Sequence, residues 1–165
     1  EEVDLRHLVA DVAELYEPVA EEAGLVLTFS GDAPIFARVN RHLVGQAVAN
    51  LVDNAIKYGR ASAVDGKPSG SVRAATRVDV GVLRVENGVE ISIADDGPGI
   101  GMEDRERVLK RFVRLEQSRS RPGTGLGLSL VAAVARLHDG WLRLEDNAPG
   151  LRVVLGLPEA RRHIG

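Results

Sequence analysis

The residues best placed to do chemistry share one predicted helix. At about 100° per residue, Gln46, Asn50, Asp53, Asn54 and Lys57 fall within roughly 100° of arc. Val44, Val48, Leu51, Val52, Ala55 and Ile56 occupy the opposite side. A solvated helix face ordinarily favours Lys, Glu, Arg and Gln. Asparagine forms helix less readily, by up to ~0.7 kcal/mol relative to alanine, yet two stand here at i and i+4. Amide oxygens at that spacing suit a hard cation, which takes oxygen ligands. Lys57 on the same stripe could meet a phosphate. A plain solvated face remains the alternative.

Two glycine clusters follow. Asp95-Asp96-Gly97-Pro98-Gly99-Ile100-Gly101 succeeds the apolar run ISIA. Glycine lets the chain turn sharply and approach a ligand closely. A carboxylate at a strand end can accept from an exocyclic amine such as that of adenine; a plain turn is the other reading. Gly123-Thr124-Gly125-Leu126-Gly127-Leu128 opens a helix with apolar positions Leu128, Val131, Val134, Ala135 and Leu137. Its exposed N-terminal amides suit a phosphate, and three alternate glycines exceed what a cap needs. Neither the Walker pattern nor Gly-x-Gly-x-x-Gly is present. Between the clusters runs a basic stretch with Arg105, Arg107, Lys110, Arg111, Arg114, Arg119 and Arg121. Such a run is commonly just solvated, but between two phosphate-binding turns it could serve as a lid.

The elements that position these residues follow from periodicity. Residues 4–22 form a helix with Leu5, Leu8, Val12, Leu15 and Val19 as its apolar stripe, weakened by Pro18 and ended by Gly24. Short strands are expected at 25–29 and 35–39. Asn40 caps the asparagine-bearing helix, which runs from 41 to about 57 and stops at Gly59. Residues 60–71 read as a surface loop. Strands at 76–85 and 89–95 join at Asn87-Gly88, a hairpin signal. A weakly helical segment at 103–115 and the helix to 137 precede a closing hairpin, 141–145 and 151–157. Helices should cover one face of a mixed sheet.

Composition sets the limits. The 165 residues suit one domain, and 44% hydrophobic with 27% charged residues suits a packed core. A net charge of −3 argues against a nucleic-acid partner. No membrane-length apolar run or signal peptide stands out, and the lack of cysteine removes disulfides and thiolate chemistry.

The boxes QAVANLVDNAIKYG, ADDGPGIG, RFVR and GTGLGL occur in that order. Together they resemble the catalytic ATP-binding domain of bacterial sensor histidine kinases, within the superfamily shared with gyrase, Hsp90 and MutL. The resemblance covers about 35–157. It implies a Bergerat-type α/β two-layer sandwich binding ATP and Mg²⁺, in a single domain over 1–165. Residues 1–23 would follow a dimerisation domain, and 102–122 would form the ATP lid. Asn54 corresponds to the magnesium ligand with Asn50 beside it, Lys57 to the phosphate-contacting lysine, and Tyr58 to the ring along the adenine. Asp95 corresponds to the adenine acceptor. Gly97, Gly99 and Ile100 belong to the loop beside the nucleotide, and Arg114 is the basic residue of the phenylalanine box. Gly123, Thr124, Gly125, Leu126, Gly127 and Leu128 would wrap the phosphates.

This sequence departs from the family pattern in three places: Leu109 replaces the first phenylalanine of that box, leaving Phe112; Asn40 stands where aspartate is common; and 60–71 is longer than usual. None of the histidines at 7, 42, 138 and 163 sits in a phosphoacceptor motif, so the chain reads as an excised catalytic domain. His7 is expected on a helix surface and His138 in a turn before a strand. Partners implied are the dimerisation/phosphoacceptor histidine domain of the same protein and a downstream response regulator. The domain is expected to be cytoplasmic without membrane contact of its own, which leaves open an inner-membrane anchor in the parent. An amide at Asn50, where the hydrolysing branch has a glutamate, cannot take a proton from water. That favours phosphoryl transfer to histidine over the alternatives, an ATPase or an anti-sigma-type serine kinase.

Overall fold

The computed structural model describes residues 1–31, 34–61, 77–96, 126–147 and 150–158. Its elements are β1 (Glu2–Asp4), α1 (Leu5–Glu22), β2 (Val26–Ser30), β3 (Phe36–Arg38), α2 (Arg41–Ala61), β4 (Arg77–Val85), β5 (Gly88–Asp95), α3 (Leu126–Leu137), β6 (Trp141–Asp146) and β7 (Leu151–Pro158). Five strands form one mixed sheet in the order β2-β4-β5-β7-β6, parallel only between β2 and β4. Val89, Ile91 and Ile93 of β5 alternate into the core with Val153, Leu155 and Leu157 of β7. The opposite sheet face is open and mixed: Glu90 there receives Arg143 at 3.2 Å and Trp141 Nε1 at 3.4 Å, beside exposed Val26 and Leu83. The expected two-layer α/β sandwich, helices on one side and an open face on the other, is what the chain forms.

Helix ends follow local chemistry. Asp4 caps α1, its Oδ1 accepting from Arg6 N at 3.1 Å and His7 N at 3.4 Å. The helix closes as anticipated at Gly24, which adopts φ +80° while Gly24 N reaches Glu21 O at 2.9 Å and Leu25 N reaches Ala20 O at 2.8 Å. Asn40 caps α2, accepting from Leu43 N at 3.1 Å.

α2 lies centrally, packed against both α1 and α3. Val44, Ala47, Val48, Leu51, Val52, Ala55 and Ile56 are all buried, so the predicted apolar face is the observed one.

Three expectations need correction. On α1 the buried residues are Leu5, Leu8, Val9, Ala13 and Ala20, whereas Leu15 and Val19 are 71% and 43% exposed. The first half of the helix buries Leu5, Leu8 and Val9, while its second half turns Ala13 and Ala20 inward in place of Leu15 and Val19. On α3, Leu137 is likewise exposed, because it stands at the helix end. α2 continues through Gly59 to Ala61; a glycine lowers helix stability without stopping a helix held by tertiary packing. The short strand expected at 35–39 forms as β3, outside the main sheet. It pairs antiparallel with β1, Val3 opposite Ala37, and Leu5 N and Val39 N bond Ile35 O and Glu1 O at 2.7 and 2.9 Å. A three-residue strand such as β1 is too short to show a period-2 pattern.

Candidate functional site

α2 presents Asn50 and Asn54 half-buried, one turn apart on its polar side. Neither side chain makes a hydrogen bond among the described residues, which leaves both amide oxygens uncommitted there. Lys57 is largely exposed, and its Nζ lies 2.8 Å from Asp53 Oδ2. That hydrogen bond to a carboxylate favours the ammonium and raises the Lys57 pKa. Tyr16 on α1 is close enough for burial and the Asp53 charge to raise its own pKa. The backbone of Tyr58 belongs to the last turn of α2, and its ring lies outside the described atoms.

Asp95 stands half-buried at the end of β5, opposite Val78 of β4. The closing hairpin fixes its backbone. Asn147 Nδ2 donates to Asp95 O at 2.8 Å, and Gly150, at φ +112°, packs so tightly that a Cβ would overlap that same carbonyl oxygen. Only glycine meets both conditions at once. Neighbouring Asp96 accepts from Arg77 N at 2.9 Å, which ties the strand end to β4. The sequence places Asn147 and Gly150 at the turn of the closing hairpin, but gives no sign that both hold the Asp95 backbone.

α3 begins at Leu126, and Gly127 lies in its first turn. Leu128 is buried in the core, which leaves its backbone as what it can offer a ligand. Gly97, Gly99, Ile100, Arg114, Gly123, Thr124 and Gly125 lie outside the described residues, as do the segment 102–122 expected to form a lid, with Leu109 and Phe112, and most of 60–71.

The histidines divide as their contexts suggested. His7 is exposed and meets Asp11 at 3.3 Å on the surface of α1. His138 in the turn after α3 accepts from Asn40 N at 3.0 Å through Nε2, while its Nδ1 lies 2.8 Å from Val134 O. It therefore ties the end of α3 to the cap of α2. His163 lies outside the described residues.

Two concavities lie elsewhere: a groove of about 930 Å³ between α1 and the start of α2, and one of about 610 Å³ on the open sheet face. Neither is lined by Asn50, Asn54, Lys57 or Asp95. Among the described residues no group of three or more His, Cys, Asp or Glu side chains could hold a metal. Uncommitted amides beside a lysine suit a cation that arrives with anionic oxygens of its own.

The family described as histidine kinase-, DNA gyrase B- and HSP90-like ATPase matches residues 39–161. The sensor histidine kinase CpxA of Escherichia coli is 34% identical over 149 residues, which cover 87% of this chain and 29% of CpxA. The chain thus spans under a third of that relative's length. Among solved structures, the ATP binding domain of PrrB from Mycobacterium tuberculosis superposes with a TM-score of 0.72 at 27% identity, covering 96% of both chains. The mycobacterial sensor histidine kinase MprB gives 0.67 at 30% identity, again with 96% of both covered. Family match, fold and the order of the motifs agree: the chain belongs to the histidine kinase-, DNA gyrase B- and HSP90-like ATPase family, as an ATP-binding catalytic domain of the sensor histidine kinase type.

Proposed function

We propose that this domain binds ATP with Mg²⁺ beside the polar face of α2 and delivers the γ-phosphoryl group to a histidine on a separate dimerisation domain. The observation that carries the reading is the pair Asn50 and Asn54, with amides uncommitted among the described residues, aligned with the cationic Lys57. Asn54 would hold the metal, with Asn50 beside it. Bound there, Mg²⁺ would neutralise phosphate charge, the main requirement of a transfer that depends on positioning more than on covalent chemistry. Asp95 would accept from the adenine amino group, and Tyr58 would lie along the base. The glycine turns at 97–101 and 123–127 would line the phosphates, with Arg114 and the 102–122 segment closing above them.

An amide at Asn50 offers water no base, which favours transfer over hydrolysis. The partners that follow are the phosphoacceptor helices of the same protein and a response regulator downstream. A cytoplasmic setting goes with both, and no described helix is long and apolar enough to cross a membrane. Incubation of the domain with γ-labelled ATP and its cognate histidine-bearing helices tests the reading. Acid-labile, base-stable label on the helices is expected. Release of inorganic phosphate without such label would point instead to an ATPase.

A further inference from the structure

Lys57 is not idle at the rim of the site. About 100° of turn per residue puts Asp53 roughly 60° to one side of Asn50 and Asn54 roughly 40° to the other, with Lys57 between them. The Lys57 ammonium is drawn to the Asp53 side, 2.8 Å from its carboxylate. That side faces α1, where Tyr16 feels both charges. Asp53, one turn N-terminal to the lysine, is in the favourable orientation for such a pair. With side-chain exposures of 32% for Asp53 and 72% for Lys57, the pair is open enough to exchange partners.

We propose that Asp53 is a competing counter-ion that sets the affinity for the nucleotide: it holds Lys57 away from the Asn54 side, and a phosphate must displace it to gain the ammonium. The inference rests on the reading of Lys57 as a phosphate contact. Asp53 is on this account a positioning residue that acts through Lys57. The competition weakens binding by the strength of a half-exposed ion pair, which corresponds to about twofold in affinity.

The test is a double-mutant cycle on the whole chain, titrating the non-hydrolysable analogue adenylyl imidodiphosphate with Mg²⁺ at low salt. Asp53→Asn is expected to bind about twofold tighter than wild type, and Asp53→Asn with Lys57→Ala to bind no tighter than Lys57→Ala alone. Adenosine, which has no phosphates, should bind all four proteins alike. Asp53→Ser, checked like the others for an unchanged melting temperature, gives a second route to the same comparison. Unchanged or weaker binding by Asp53→Asn overturns the proposal, and so does an equal gain in the Lys57→Ala background. If Lys57→Ala binds as well as wild type, this inference falls while the nucleotide site stands. If wild type binds no analogue, the function proposed above falls first.

Discussion

α1 and α2 lie side by side on the same sheet, yet their polar faces differ in kind. α2 sits between two other helices, so its dry side is buried from Val44 to Ile56, and its other side carries Asn50, Asp53, Asn54 and Lys57 in a row. The amides have no hydrogen-bond partner among the described residues, and the lysine is tethered to its own helix. α1 lies at the margin, where a helix can leave Leu15 71% exposed and carry ordinary acids and His7 on its surface. Position within the layer, more than hydrophobic content, separates the helix that carries the candidate site from the helix beside it. Where packing settles one face, an unusual residue on the other face stands out as a functional candidate.

Substitutions can break that contrast if it is wrong. The largest stability effect is expected at Ile56, 3% exposed on α2, where replacement by alanine should cost about 2–5 kcal/mol in urea unfolding. Leu15→Ala on α1 removes a side chain of similar size and should stay within about 0.5 kcal/mol. Equal losses would remove the distinction between the two helices. Gly150→Ala sharpens the comparison from outside both. A side chain at φ +112° pressed against the Asp95 carbonyl should cost about 1–3 kcal/mol. Because the strain falls on Asp95, it should also weaken ATP binding measured on the folded fraction, which Ile56→Ala should leave much closer to wild type. Unimpaired binding by a folded Gly150→Ala protein would dissociate the closing hairpin from the site.

How far the chain could be read in advance divides along the same line. α2 was legible because its apolar positions repeat along one side and its amides break the usual surface preference. The sheet was legible through alternation in β4 and β5 and through the turn after Val85. α1 misled because hydrophobicity ranks leucine and valine above alanine, whereas close packing used Ala13 and Ala20. β1 was too short to carry a pattern. The roles of Asn147 and Gly150 depend on β5 and β7 pairing across about sixty residues of sequence, and the His138–Asn40 bond spans 98 positions, which no local motif encodes.

The central claim is that α2 holds the nucleotide's metal through Asn54. Its most direct test is the affinity for ATP with and without Mg²⁺, in wild type and in Asn54→Ala, on protein whose unfolding curve is unchanged. The account predicts that Mg²⁺ tightens binding to wild type and that this gain disappears in Asn54→Ala, while metal-free affinity stays the same. An undiminished Mg²⁺ effect in Asn54→Ala would contradict it.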